Sequence, residues 1–553
     1  MDKIWLKNYQ AGIPASIEDQ MEKYRSIGDL AEESFGKFSQ TQAFNCMGKG
    51  FSYQELDELT KQFASYLQND LKLEKGDRVA IMMPNILQYP VALFGILRGG
   101  FVAVNVNPLY TPRELQHQLK DSGAKVIIIF ENACHTLQGV LGKTDVKHVL
   151  TTSIGDMLGF PKSVIVNFVI KKVKKMVPEW SIPGSKSFVT ELRKANASGF
   201  KKPDMKSSDI AFLQYTGGTT GVAKGAILTH RNIIANMCQA RAWLSPAITI
   251  GNEIIISPLP LYHIFSLTVS MIFLSIGGTN VLITNPRDMP GFVKELKKWK
   301  FTVLPGVNTL FNGLLNNADF KTVDFSALKI SLGGGMAVQK AVADKWKAVT
   351  GKTLVEAYGL TETSPAACVN PLNIKEYNGF IGLPIPSTDV VIKDDNDKTL
   401  NIDEVGEICI KGPQVMPGYW NRDDETTKVM TSDGYFKTGD VGIMNKDGFV
   451  KIVDRKKDMI LVSGFNVYPN EIEDVVAAHP KVFEVAAIGV PDEKTTEAIK
   501  LFIVKKDESL TPEEIIAYCR KELTNYKVPK LVEFRTELPK TNVGKILRKD
   551  LRQ

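Results

Sequence analysis

A chain of 553 residues is too long for a single compact core, so two or more domains are expected. With 44% apolar and 23% charged residues, the composition is that of a globular protein and excludes disordered, fibrous and collagen-like classes. The net charge of +7 is mild for this length, and points to anionic ligands or an anionic surface rather than to a dedicated nucleic-acid binder.

The first residues, Met1-Asp2-Lys3-Ile4-Trp5-Leu6-Lys7, lack the basic-then-apolar pattern of a secretion signal, which leads to the expectation of a cytoplasmic chain. Residues 79–83 form a strand candidate, 89–98 a helix and 102–106 another strand; residues 116–121 then lead into a β-branched run at 125–130. Residues 163–178 join a nearly continuous apolar run to Lys171, Lys172, Lys174 and Lys175. As a helix this would be a basic amphipathic element able to lie on an anionic bilayer. A surface helix with a lysine-rich outer face is the plainer reading.

Residues 210–213 read as a buried strand that opens into Tyr215-Thr216-Gly217-Gly218-Thr219-Thr220-Gly221-Val222-Ala223-Lys224-Gly225. Residues 254–286 carry no Asp, Glu, Lys or Arg, yet Pro258, Pro260, Gly277 and Gly278 interrupt them. The helical piece left at 264–276 is too short for a bilayer, so a buried strand–helix–strand unit is predicted. A boundary falls near Asp454, where a charged turn begins; beyond it lie strand candidates at 459–462, 485–490 and 499–504 and helices at 471–479 and 512–523. The six cysteines (46, 134, 238, 368, 409, 519) contain no C-x-x-C pair and read as reduced, mostly buried thiols. The five histidines besides His263 show no metal-ligand spacing. Leu551-Arg552-Gln553 is not a peroxisomal address. The alternation predicts an α/β fold with partly parallel sheets and a smaller α+β unit at the end.

The loop at 215–225 is built for an anion. Its glycines let backbone N–H groups approach phosphate, its threonine hydroxyls add donors, and Lys224 adds a cation. It is not a Walker loop, because Val222 follows Gly221 where that motif needs lysine. A hairpin turn with a chance lysine is the alternative.

Downstream blocks give this loop a context: Pro260-Leu261-Tyr262-His263, Tyr358-Gly359-Leu360-Thr361-Glu362-Thr363, Tyr435-Phe436-Lys437-Thr438-Gly439-Asp440, Asp454-Arg455-Lys456-Lys457-Asp458 and Pro539-Lys540-Thr541-Asn542-Val543-Gly544-Lys545. With the loop, and in this order, they resemble the adenylate-forming superfamily of acyl-CoA synthetases, luciferases and peptide-synthetase adenylation domains. The similarity runs along nearly the whole chain and is greatest to bacterial long-chain fatty acid–CoA ligases, above all at residues 454–473.

The resemblance implies a large, multi-subdomain N-terminal domain with mixed sheets over residues 1–453, and a small mobile C-terminal lid over 454–553 hinged at 454–455. It implies that a fatty acid attacks the α-phosphate of ATP to give an acyl-adenylate, which coenzyme A then captures as a thioester. That first step brings an anion to a polyanion, so catalysis is chiefly charge neutralisation and alignment. Lys545, on a polar loop after Gly544, resembles the family's catalytic lysine, and His263 takes a place near the substrate carboxylate. The ATP/AMP contacts carried over are Thr216, Gly217, Gly218, Thr219, Thr220, Gly221, Lys224, Gly334, Gly335, Tyr358, Gly359, Thr361, Asp440 and Arg455. Asp440 suits the ribose hydroxyls, and Glu362 with Thr220 suits Mg²⁺, a hard cation that takes carboxylate, phosphate and water oxygens. Ser463 and Gly464 resemble the hairpin lining the CoA tunnel, and Asp454 the hinge. Some long-chain members carry a gating tryptophan four residues after the histidine, where this chain has Leu267.

The expectation is therefore a long-chain fatty acid–CoA ligase using Mg²⁺, ATP and CoA, cytoplasmic and peripheral to the inner membrane, feeding fatty acid degradation or lipid synthesis. No nucleic-acid partner is expected, and a homodimer is compatible with this reading. A CoA ligase for medium-chain or aryl acids is the enzymatic alternative. A fatty acid uptake or carrier protein is the non-enzymatic one, although a carrier has no need of Lys545 or Glu362.

Overall fold

The β-branched runs become central strands. Val126–Phe130 is buried at every position, as a strand covered on both faces must be. The computed structural model describes residues 3–216, 222–541 and 543–552. In it Val126–Phe130 lies inside a seven-stranded sheet ordered Lys186–Ser187, His148–Thr152, Val126–Phe130, Arg78–Met82, Val102–Asn105, Ile210–Thr216 and Lys224–Thr229. All neighbours are parallel except the last pair, Ile210–Thr216 with Lys224–Thr229. The two strands that flank the glycine- and threonine-rich segment thus pair antiparallel, with Thr216 the register partner of Lys224.

A nine-stranded sheet is ordered Leu383–Pro384, Ala366–Val369, Leu354–Gly359, Ile330–Gly334, Val303–Gly306, Ile254–Ser257, Thr279–Leu282, Gln42–Cys46 and Lys49–Ser52. The charge-free segment forms the predicted strand–helix–strand unit: Ile254–Ser257, helix Ile264–Ser275 and the parallel strand Thr279–Leu282. That helix is buried along its length and packs between helices Ile27–Lys37 and His230–Leu244. Burying a large apolar side chain stabilises by about 1.5–3 kcal/mol, so an all-round apolar helix belongs in an interior and would not persist on a surface. Among the described residues no helix is long and apolar enough to cross a membrane. All six cysteines are buried and unpaired, as expected.

An antiparallel sheet follows, Asp389–Lys393, Gly406–Lys411, Phe436–Met444 and Val450–Arg455. The C-terminal domain holds its own five-stranded sheet. There Val482–Asp492 and Thr496–Lys505 form a long antiparallel pair, and Leu531–Arg535 joins Thr496–Lys505 in parallel. Helices Pro469–Ala477 and Pro512–Glu522 accompany that sheet, and its core of Ile460, Ile472, Val485, Leu501 and Ile515 is separate from the large one. The fold is the expected α/β architecture, a large N-terminal domain of mixed sheets and a small C-terminal one.

Candidate active site

Three neighbouring strands of the nine-stranded sheet end in glycine: Val303–Gly306, Ile330–Gly334 and Leu354–Gly359. Carboxyl ends of parallel strands are where α/β sheets bind ligands, and here they open on a cleft of about 910 Å³ lined by Gly334, Gly335, Tyr358, Gly359, Thr361, His263 and Lys545. Glycine is required at these edges. A Cβ on Gly359 would lie 1.8 Å from the Pro365 carbonyl oxygen, and Gly335 has φ +77°.

The far wall of the same cleft is apolar. Ala240, Trp243 and Leu244 come from helix His230–Leu244, and Ile264, Phe265, Val269, Ile272 and Phe273 from helix Ile264–Ser275. The spacing of the latter set is one helical face. Leu267 points to the other face and borders a small separate cavity with Phe44, Tyr89 and Met271. The side chain at 267 therefore does not line the larger cleft.

The polar end is assembled from distant segments. Tyr358 Oη donates to Asp440 Oδ2 at 2.6 Å, and Arg455 Nε lies 3.2 Å from Asp440 Oδ1. His263 caps helix Ile264–Ser275, its Nδ1 accepting from the Phe265 N–H at 3.3 Å. Its proton therefore sits on Nε2. Burial, with the Lys545 ammonium adding to it, pushes the imidazole pKa down to about 3, so His263 is a neutral donor.

Lys545 reaches this end from the C-terminal domain. Thr309 Oγ1 donates to the Gly544 carbonyl at 2.9 Å, docking the loop on helix Asn308–Leu315, while Thr541 Oγ1 accepts from Lys545 N–H at 3.0 Å. The Lys545 Cε is 3.2 Å from where a Cβ on Gly335 would sit. Desolvation, then the charge of Arg455, lowers the ammonium pKa to about 8, against the opposing pull of Asp440 and Glu362.

Glu362 accepts from Tyr419 Oη at 2.8 Å on Oε1, and among the described residues its Oε2 has no hydrogen bond. Lys224 is paired with Glu425 at 2.7 Å, its ammonium 4.6 Å from the centroid of the Tyr419 ring. It does not line the cleft in this structure. Gly217, Gly218, Thr219, Thr220 and Gly221 lie outside the described residues, and Thr216 is described as the last residue of its strand. Ser463 and Gly464 form the turn between strands Ile460–Val462 and Phe465–Val467, at φ +52° and +83°. Both are exposed and absent from the cleft wall, so Lys545 and this hairpin do not occupy it together.

Asp454 is fully buried. It accepts from the N–H groups of Arg455 at 2.7 Å and Asn470 at 2.8 Å, and its carboxylate lies 3.3 Å from Arg548. Sequence reasoning missed Arg548, Tyr419, Glu425, Thr309 and Trp243. Their roles depend on partners far along the chain, so no local spacing announces them.

Residues 31–420 match the AMP-binding enzyme family, and residues 471–545 match the AMP-binding enzyme C-terminal domain. The chain belongs to the AMP-binding enzyme family. A relative from Yersinia pestis named Long-chain-fatty-acid–CoA ligase is 56% identical over 553 residues, covering 100% of this chain and 98% of its own. Among solved structures, ATP-bound MatB from Rhodopseudomonas palustris matches with a TM-score of 0.82 at 27% identity, covering 95% of this chain and 98% of that one. The apo form of that enzyme, at the same 27% identity and with the same 95% and 98% coverage, gives 0.73. This family member is therefore more similar in shape to the nucleotide-bound form than to the empty one.

Proposed function

We propose that this chain is an ATP-dependent long-chain fatty acid–CoA ligase, an acid–thiol ligase that forms an acyl-adenylate and pyrophosphate, then acyl-CoA and AMP. One observation carries the reading: a single cleft runs from an apolar wall at Trp243 and Phe273 to the cation of Lys545. A long apolar acid fits such a site with its tail on the wall and its carboxylate at the charged end. The name of the Yersinia pestis relative supports the same substrate class.

Each residue then has a task. Lys545 neutralises the approaching carboxylate and the α-phosphate together, which lowers the barrier where two anions meet. His263, neutral, donates Nε2–H to the carboxylate without adding charge. Asp440 takes the ribose hydroxyls, held by Tyr358 and Arg455, while Gly334, Gly335, Gly359 and Thr361 give the nucleotide close backbone approach. The outer phosphates fall to the expected phosphate loop, residues 216–221, and to Lys224, which exchanges Glu425 for phosphate when ATP arrives. Mg²⁺ fits Glu362, whose Oε2 has no hydrogen bond among the described residues, with Thr220 as the other expected ligand; when bound, it would offset phosphate charge.

The lid reading follows from the same geometry. With boundaries at 1–453 and 454–553, rotation about Asp454 and Arg455 withdraws Lys545 and brings Ser463 and Gly464 to the cleft as the thiol's entry. The likeness to ATP-bound MatB supports an adenylation pose for the lid in this structure. A cytoplasmic enzyme held peripherally at the inner membrane suits an acid that partitions into lipid, with Lys171, Lys172, Lys174 and Lys175 on the contacting surface.

The acid is tested by CoA-dependent AMP formation across saturated acids of increasing length and aryl acids. Long-chain acids should give the highest kcat/KM; a maximum with medium-chain or aryl acids, or no AMP with any acid, overturns the assignment. Lys545 also sets a pH dependence. Only its protonated form neutralises charge, and its pKa is lowered to about 8, so kcat/KM for adenylation falls as pH rises through about 8. The limb should move to higher pH in kcat, because bound ATP favours the ammonium, and should vanish in Lys545→Arg. A flat kcat/KM profile through and well above that pH rules out this role.

A further inference from the structure

Six large apolar side chains that the fold leaves exposed fall in one short stretch: Phe160 at 88%, Val164, Ile165, Phe168, Val173 and Met176. Helix Lys162–Phe168 puts Val164 and Phe168 on one face at an i,i+4 spacing, and wider helical turns continue through Val169–Val173. The plainer expectation for this segment, an apolar face turned inward beneath a lysine-rich one, is reversed: much of its apolar surface points out.

The polar side is what holds the segment to the body. Asn167 bonds to the Asp156 carboxylate and the Gly155 N–H, both at 2.8 Å, Asn132 donates to the Met176 carbonyl at 2.8 Å, and Lys171 pairs with Glu131 at 2.6 Å. Val166 packs on the core. The element is thus pinned with its orientation set. Lys172, Lys174 and Lys175 are exposed and make no ion pair among the described residues, and residues 160–176 contain no Asp or Glu. An exposed apolar patch next to unpaired cations, with no acid between, is complementary to anionic headgroups over hydrocarbon and to little else.

We propose that residues 160–176 are a membrane-insertion element: Phe160, Val164, Ile165 and Phe168 enter the headgroup–acyl boundary of an anionic phospholipid bilayer while Lys172, Lys174 and Lys175 lie against its phosphates. This rests on the peripheral membrane contact proposed above and changes its balance, since the apolar edge supplies most of the hold and the lysines supply lipid preference. Lys171, already paired with Glu131, contributes least.

The test is flotation of the full chain with vesicles of phosphatidylcholine, with and without phosphatidylglycerol, at low and high salt. The double variant Phe160→Ser, Phe168→Ser should bind about a hundredfold more weakly at both salts, since each buried side chain of this size is worth roughly tenfold or more. The triple variant Lys172→Gln, Lys174→Gln, Lys175→Gln should lose the preference for phosphatidylglycerol at low salt and match the parent at high salt. Both variants change exposed side chains, and unchanged activity on detergent-dispersed fatty acid checks that they fold. A double variant that floats like the parent overturns insertion, and leaves charge-based contact standing if the lysine variant alone is impaired. A parent that floats with no vesicle removes the membrane contact itself while leaving the ligase reading to the AMP assay. Self-association of the parent, lost in the double variant, without vesicle binding would assign this face to a second copy of the chain and overturn the proposal.

Discussion

Replacing Lys545 with alanine should slow acyl-adenylate formation by roughly 10²–10³-fold, the usual loss for one preorganised charge-stabilising group. Its loop is docked through Gly544 on Thr309, and its ammonium faces Asp440, Glu362 and Arg455. Truncation leaves those neighbours in place and removes only the cation between the two reacting anions. Pyrophosphate exchange into ATP, which depends on the acid, reads this step directly. Capture of supplied acyl-adenylate by CoA should survive, because no attack on phosphate occurs there. Exchange near the parent rate would show that Lys545 is not the catalytic lysine. Loss of both half-reactions together would point to a disturbed lid.

Gly464→Leu should do the reverse, cutting thioester formation about 10²-fold while leaving adenylation within a few-fold. In the described pose a Cβ on Gly464 meets nothing within 4 Å, so a side chain starts into open space while Lys545 is in the cleft. After rotation of the lid it would stand in the thiol's path. The complication is the backbone: Ser463 and Gly464 both have positive φ, the requirement of a tight two-residue hairpin, and leucine is strained there. Gly464→Asn separates the effects, since asparagine tolerates that conformation and is smaller. A selective defect in the leucine variant that is mild in the asparagine variant supports thiol blockage. Equal loss of both half-reactions in both variants would place the damage in the fold.

Much of this protein is readable along the chain. The strand at 126–130, the buried helix at 264–275 and the alternation in the last hundred residues follow from apolar runs and their breakers, because those patterns act over a few residues. The blocks around Lys545, Glu362, Tyr358 and Asp440 were likewise legible as motifs, and the fold sets His263, Tyr358 and Lys545 around one cleft. Side-chain partnership was not legible. Whether Lys224 faces the cleft or Glu425, whether Asp454 is solvated or locked against Arg548, and which face of residues 160–176 points outward depend on surfaces that meet across tens to hundreds of residues. Leu267 is the simplest case: its place four residues after His263 suggests the site, but His263 caps the helix at the cleft while Leu267 borders a separate cavity. Local chemistry chooses the elements and the reactive groups, and long-range packing chooses which of their faces meet.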